Sequence, residues 1–378
     1  MWRLRLRLAS DDAVYGEVLQ RWSQALPESA LCLSARARWH ERRGELEQAR
    51  LLAEQALASN PGLATAQLLL LRAEVASDPE SALRRIARIR PREDDAAARR
   101  SLLAYRGLAA DRLGRYADAL ADWSRMAMVI AASHPLPMPE SAQLAPGGKV
   151  EGRLLWAPPG VAMEPVLSAV AQVAPERLLA ERARAPQRRE DGFGVRRFKP
   201  THENAGSGER WQASLRALGH EPAQAIDWLP HFDGYTAAAL SGAHTVACLI
   251  DPRDALLNWM VFGSTADYVF LPDSKQDADW MAQCLEALAD HRDANPLAVT
   301  VLNIDTLAEQ ADSLAAQLQS ALALSSAPDP SQLARSPESS PALPMRFPAG
   351  HWRHYREVLA EAFARLTPVA QRFGYPAE

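Results

Sequence analysis

Apolar positions follow two different patterns along the chain. From Ala30 to about Ala127 the sequence is rich in Ala, Leu, Arg and Glu and lacks β-branched clusters, which predicts helix throughout. After residue 150, short unbroken apolar runs alternate with helical patterns. The sequence therefore predicts an α plus α/β protein, in which an all-helical part precedes an α/β domain with a central parallel sheet.

Three apolar runs have the length and composition of buried strands: Val150–Ala157, Val246–Ile250 and Ala298–Asp305. The second run breaks at Asp251-Pro252 and continues into a helical pattern, as in half of an α/β unit. Turns of this kind are where α/β folds place their ligands. A local alternative stays open, because Asp251 to Asp254 could be only a helix-capping device.

Small residues recur through the helical part at the spacing of a repeat. One frame consists of Ala37, Gly44, Leu46, Ala49, Ala56 and Pro61, and a second consists of Gly107, Gly114, Tyr116, Ala119 and Trp123. Both frames resemble the tetratricopeptide repeat, with a shorter middle unit over residues 64–91 that turns at Asp78-Pro79, and a partial leading repeat over 11–28. Such arrays bind a peptide or protein partner; the alternative is a brace for the next domain.

A Pro- and Gly-rich stretch, residues 132–149, separates the two parts. We therefore predict a helical repeat domain over 1–131, a linker over 132–149 and an α/β domain over 150–378.

Composition narrows the functional classes. The 378 residues carry a net charge of −4, which does not favour binding to nucleic acid or to an anionic membrane surface. Apolar runs are shorter than a membrane span, and no signal peptide is evident, so we expect a soluble cytoplasmic protein. The three cysteines have no disulfide or zinc spacing, and no metal-ligand cluster is apparent.

The α/β domain resembles the sulfotransferases, which use 3'-phosphoadenosine-5'-phosphosulfate (PAPS) as donor. Asp251-Pro252-Arg253-Asp254 followed by Asn258 resembles their segment R-D-P-R-D-x-x-x-S, whose Arg and Ser hold the donor's 3'-phosphate. Here those two places carry Ile250 and Asn258. Near the C-terminus, Gly350, Trp352 and Arg353 match the element R-K-G-x-x-G-x-W-K, and Arg346 stands at its Lys. The chain's ending is similar to that of bacterial sulfotransferases fused to tetratricopeptide repeats.

The phosphate loop of the family would fall on the turn after the first strand, where only Gly160 is kept. Pro158 and Pro159 remove two backbone N–H donors that such a loop needs. The resemblance implies a set of cofactor-binding positions: Gly160, Val161, Ala162, Arg253, Asn258, Arg346 and Arg353.

The catalytic base of the family lies in a segment K-T-H-L-P. Aligned on Leu229-Pro230, its His falls on Trp228, and His231 is the nearby candidate base. The alternative is a structural role, which is the more common one for a lone His beside Pro. Basic residues between Arg177 and Lys199 form either a solvated face or a replacement for the lost phosphate ligands.

Two classes of function remain. One is a diverged or non-catalytic member that acts through protein binding on its repeats. The other is an active sulfotransferase that moves a sulfuryl group from PAPS to a protein or small-molecule hydroxyl. The resemblance implies PAPS, or its product 3'-phosphoadenosine-5'-phosphate (PAP), as cofactor if the site functions, and none otherwise.

Overall fold

The structure is a computed structural model of the 378-residue chain. It describes residues 1–9, 12–89, 95–130, 139, 150–184, 191, 193, 206–263, 273–305, 309–334 and 346–378. Two compact units are present: unit 1 comprises Met1–Asp122 and Glu338–Met345, and unit 2 comprises Trp123–Pro337 and Arg346–Glu378. Apart from Pro139, the linker predicted over 132–149 lies outside the described residues.

Unit 1 consists of antiparallel helix pairs, as the composition predicts. The helices are α1 (Trp2–Arg7), α2 (Asp12–Ala25), α3 (Ala30–Arg42), α4 (Leu46–Ser59), α5 (Ala64–Ser77), α6 (Pro79–Arg88), α7 (Ala96–Arg112) and α8 (Tyr116–Ile130), the last of which continues into unit 2. Ala37, Ala53 and Ala56 are fully buried between α3, α4 and α5. Because alanine has no bulk beyond Cβ, these positions let neighbouring helices pack closely, which is the reason for the repeating small residues.

The turns confirm that two helix pairs share one local design. Gly44 and Gly114 adopt left-handed φ angles of 75° and 71° between their helices. In each turn the residue after the glycine donates its backbone N–H five residues back, from Glu45 to His40 and from Arg115 to Ala110, both at 2.9 Å. The middle pair turns differently, through Asp78, whose side chain caps α6 by accepting from Ser81 N at 3.1 Å.

Ion pairs tie the helices of unit 1 together. Arg72 on α5 holds the nearly buried Glu41 of α3 through two hydrogen bonds of 2.8 and 2.6 Å. Arg106 on α7 holds Asp122 on α8 in the same forked manner, with Nε 2.7 Å from Oδ2. Such forks match the planar geometry of guanidinium and carboxylate.

Unit 2 contains a small parallel sheet with helices around it. Its strands are β1 (Arg153–Trp156), β2 (Ile226–Trp228), β3 (His244–Leu249) and β4 (Val299–Asn303), in the order β2-β1-β3-β4. All three pairings are parallel. The three strands predicted from apolar runs are confirmed, although β3 begins at His244, two residues before its apolar run. The near-continuous burial of β1 and β3 is typical of strands covered on both faces of the sheet.

The helices of unit 2 follow the strands in the α/β manner. They are α9 (Glu164–Val173), α10 (Glu181–Arg184), α11 (Ser207–Ala217), α12 (Gly234–Ala239), α13 (Pro252–Phe262), α14 (Ser274–Ala294), α15 (Ala311–Leu322), α16 (Pro330–Leu333) and α17 (Ala360–Arg372), with a 3-10 helix at His351–Tyr355. Across the described residues of both units, every helix is too short or too polar to cross a bilayer.

Candidate functional site

Parallel sheets bind ligands where the strand order reverses, at the carboxyl ends of the strands. In unit 2 that point lies between β1 and β3, because the chain moves from β1 outward to β2 and then returns to the other side of β1. Residues 157–163 and 250–258 follow these two strands. The parallel order thus brings together at one edge the two turns that the sequence singled out.

The turn after β1 packs directly on a helix backbone. Gly160 has a φ of 86°, and a Cβ built at this position would lie 1.9 Å from the carbonyl oxygen of Ala255 and 2.8 Å from Trp259 N. Val161 is buried, and Ala162 is half-buried. On the side where a Cβ would project, the space beside Gly160 is therefore occupied by α13.

Arg253 is fully buried and bonded to groups of its own chain. Its Nε and Nη2 donate to the carboxylate of Asp251 at 2.9 and 2.7 Å. Nη1 and Nη2 also donate to the carbonyl oxygens of Ala377 and Pro376, at 2.9 and 2.5 Å. The guanidinium stacks on the ring of Trp352, 3.7 Å from its centroid. Asp251 thus both caps α13 and orients the arginine.

Asp254 also binds the C-terminal segment, residues 346–378. Its two carboxylate oxygens accept the backbone N–H groups of Gly350 at 2.6 Å and of Trp352 at 2.8 Å. Burial raises the pKa of Asp254 to about 7, and the nearby Asp251 and Asp305 add to the increase, whereas the two N–H bonds oppose it.

Asn258 lies one helical turn after Asp254 and points to the same segment. Its Oδ1 accepts from Phe347 N at 2.7 Å. Its Nδ2 is buried and has no acceptor among the described residues. We call Arg253, Asp254 and Asn258 the clamp residues, because each binds the C-terminal segment. The polar side chains of Asp251, Arg253 and Asp254 thus form hydrogen bonds to other groups of the chain.

The two arginines of the C-terminal motif have contacts other than Asn258. Arg346 is half-buried near Asp305; burial lowers the pKa of Arg346, and the charge of Asp305 opposes that change. Arg353 is exposed, and it donates to the carbonyl oxygen of Glu378 at 3.3 Å. Within the described chain, neither guanidinium makes a hydrogen bond to Asn258.

The candidate base is enclosed in the fold. His231 follows β2 at the same edge of the sheet, but its side chain is only 1% exposed. Its Nε2 lies 3.2 Å from Oδ2 of Asp233, which also caps α12. The ring packs near Trp280, with 5.5 Å between ring centroids. A substrate hydroxyl would reach this imidazole only after surrounding groups had moved.

Two members of the basic cluster have structural partners. Arg177 donates to three carbonyl oxygens, those of Gln224, Ala323 and Leu322, at 2.7 to 3.0 Å. Arg182 pairs with the buried Asp191 and Asp227. The remaining basic residues from 188 to 199 lie outside the described residues.

Asp305, the last residue of the third predicted apolar run, also belongs to this edge. It follows β4 and accepts from Asp251 N at 3.4 Å. Burial raises the pKa of Asp305 to about 6. Because carboxyl ends of parallel strands share one edge, its position after an apolar run was the signal that could have identified it.

A second candidate site is a groove in unit 1, which we call the repeat groove. Its volume is about 300 Å³, and it is lined by Leu6, Tyr15, Trp22, Leu31, Ser34, Ala35, Arg38, Arg42, Leu63 and Thr65. These residues come from α1, α2, α3 and the beginning of α5. No sequence motif indicated this groove, since its residues are spread over four elements.

No protein-family model and no curated protein matches the sequence. Among solved structures, the chain is similar to a mutant O-GlcNAc transferase from Thermobaculum terrenum, with a TM-score of 0.33 and 13% identity. The match covers 84% of this chain and 69% of that one. At this TM-score the likeness carries no argument about function.

Proposed function

We propose that this protein is a non-catalytic, partner-binding member of the sulfotransferase-like proteins, with its partner held on the helical repeats. The observation that carries the proposal is the engagement of the clamp residues. Arg253, Asp254 and Asn258 all bind the C-terminal segment. By the resemblance, Arg253 and Asn258 stand at positions that would serve the donor nucleotide; here both bond within the fold.

The turn after β1 supports the same conclusion. A phosphate loop needs backbone N–H groups around an open space, and proline has no N–H. Pro158 and Pro159 stand in this turn, and Gly160 is packed against the Ala255 carbonyl. Each lost charge-assisted contact to phosphate removes about 1.5–3 kcal/mol of binding free energy. Several losses together would leave little affinity for the donor.

One observation favours the active-enzyme alternative. The Nδ2 of Asn258 is a buried donor with no acceptor among the described residues, and such a group is costly unless something binds it. An active PAPS-dependent sulfotransferase would place a phosphate oxygen there.

Calorimetric titration of the full-length protein with PAP separates the two functions. We expect no binding in the micromolar range, because the turn is filled and the clamp residues are engaged. A dissociation constant of micromolar or tighter, lost in the Asn258→Ala variant, would establish a donor site and contradict the proposal. Micromolar binding that survives this substitution would contradict it as well, since it would show a nucleotide site elsewhere in the chain.

A further inference from the structure

We propose that the repeat groove binds an acidic peptide segment, in which a carboxylate stands next to an aliphatic or aromatic side chain. The inference rests on the proposed partner-binding function and specifies the chemistry of the partner. It comes from the lining of the groove rather than from the repeat motif, which does not distinguish one partner from another.

The wall of the groove is apolar and aromatic. Leu6, Tyr15 and Trp22 belong to one packed cluster with Trp2 and Trp39. Tyr15 stacks on Trp39 with 5.3 Å between ring centroids, and Trp2 stacks on Trp22 at 6.3 Å. A volume of about 300 Å³ is at the lower end of the range for ligand pockets, about 300–1,000 Å³. The groove suits one large apolar side chain and the backbone around it.

The charge of the groove is positive. Arg38 and Arg42 stand one helical turn apart on α3, and the described residues that line the groove include no acidic side chain. Arg42 stacks over Tyr15, 4.3 Å from the ring centroid, which fixes it against the aromatic wall. Arg38 is exposed and has no ion pair or hydrogen bond among the described residues.

Other arginines of unit 1 have carboxylate partners, and they show what Arg38 lacks. Arg43 pairs with Glu45, Arg50 with Glu47, and Arg72 with Glu41. An arginine beside an apolar pocket without such a partner is complementary to a carboxylate brought by another molecule. The groove therefore combines an apolar contact with a cationic one.

Trp22 is an aromatic side chain of the groove wall. The residue is 4% exposed, and its Nε1 has no acceptor among the described residues. A buried indole N–H normally has a hydrogen-bond partner. In contrast, the hydroxyls of Ser34 and Thr65 already bond to each other at 2.7 Å.

A peptide fits this arrangement better than a nucleic acid. Two arginines in a small groove cannot follow a phosphate backbone, and the chain as a whole carries a net charge of −4. The groove instead has room for one acidic group beside one apolar group, and a short peptide can present both on neighbouring side chains.

Selection of short random peptides on the immobilised full-length protein tests the proposal. We expect selected peptides to carry Asp or Glu beside Leu, Phe or Trp. A selected peptide, acetylated, amidated and labelled with fluorescein, is then titrated by fluorescence anisotropy. The double variant Arg38→Gln/Arg42→Gln should weaken its affinity about tenfold or more. Replacing the acid in the peptide by its amide should have a similar effect.

The double variant Arg99→Gln/Arg100→Gln is the matched control, because both arginines are exposed on α7 and do not line the groove. It should bind the peptide as the unchanged protein does. A non-amidated copy of the peptide shows whether a terminal carboxylate serves as well as a side-chain one; either source agrees with the proposal.

Three outcomes would overturn the inference: no enriched peptide, enrichment without acidic residues, or equal binding by the Arg38/Arg42 variant. A peptide that binds the repeats but ignores these substitutions would reject the groove and leave the partner-binding function intact. Micromolar binding of PAP would reject the non-catalytic function and leave the groove result unaffected.

Discussion

The guanidinium of Arg253 uses each of its three nitrogens within the chain. Two of them hold Asp251, and two of them reach the carbonyl oxygens of Pro376 and Ala377. A buried arginine is tolerated only where its charge and its N–H groups are all compensated. At this residue the segment that resembles a donor-binding motif holds Pro376 and Ala377.

Asp254 makes a pH-dependent contribution to stability. Its pKa is about 7 in the folded protein, above the ordinary value of 3.8, so the folded state binds the proton more tightly than the unfolded state. The stabilisation is fully present below the unfolded pKa and is lost as pH rises through the folded pKa. We therefore expect the contribution of Asp254 to the free energy of unfolding to fall between about pH 4 and pH 7.

The Asp254→Asn variant tests this expectation through urea unfolding at a series of pH values. Asn cannot ionise, so the difference in free energy of unfolding between the two proteins should shrink or reverse as pH rises through this range. His244 and His291, whose pKa values are lowered by burial, titrate in both proteins and cancel in the difference. A difference that does not vary with pH would show that Asp254 does not titrate in this range.

Among the elements, those specified by local pattern were predicted well. The helix pairs α3–α4 and α7–α8 follow from the spacing of small residues, since packing between neighbours in sequence decides them. The strands β1, β3 and β4 follow from apolar runs bounded by turn residues. The parallel sheet then places the two singled-out turns at one edge, as expected for an α/β domain.

The contacts between the C-terminal segment and the carboxyl edge of the sheet could not be predicted from these local patterns. Asp254 contacts Gly350 and Trp352 over separations of 96 and 98 residues, and Arg253 reaches Ala377 over 124. Nothing local to either partner encodes such a pairing. The segment from Phe347 forms a 3-10 helix only at His351–Tyr355, and the backbone N–H groups of Phe347 and Gly350 before it bond to side chains of α13.

Because the turn after β1 packs against α13, we expect substitution of Gly160 to lower stability more than substitution of a glycine without such a contact. In Gly160→Ala the new Cβ would lie 1.9 Å from the Ala255 carbonyl oxygen, so the turn or the helix must shift. The matched control is Gly219→Ala, which has a similar φ of 84° but no atom within 4 Å of the new Cβ. Both variants bear the cost of a left-handed alanine, about 1–2 kcal/mol.

Urea unfolding should therefore show Gly160→Ala to be less stable than Gly219→Ala, by about 1–3 kcal/mol, the typical cost of overpacking. The difference between the variants isolates the steric contact, since the backbone conformation is common to both. Equal stabilities would mean that the turn can move away from α13 at little cost, and that the space beside Gly160 can open for a ligand.

At the scale of the whole molecule, the chain forms two compact units, each with its own buried ion pairs. In unit 1, Arg72 holds Glu41, and in unit 2, Arg253 holds Asp251 and the last carbonyl groups. Composition also changes across residues 132–149, where the sequence predicts a linker. Both observations lead us to expect that the two parts unfold as separate cooperative units.

Differential scanning calorimetry of the full-length protein and two charge-removing variants tests this expectation. Arg72→Gln takes the guanidinium from the nearly buried Glu41 and should lower one thermal transition, through a loss of about 2 kcal/mol. Arg253→Gln leaves Asp251 without its buried partner and should lower the other, through a loss of about 3–5 kcal/mol. Arg353→Gln changes an exposed position in unit 2 and should leave the temperatures of both transitions nearly unchanged.

If Arg72→Gln and Arg253→Gln lowered one common transition, the two parts would share a single cooperative fold. A partner bound on the repeats would then be linked to the stability of the α/β part, whereas separate transitions would confine its stabilising effect to unit 1.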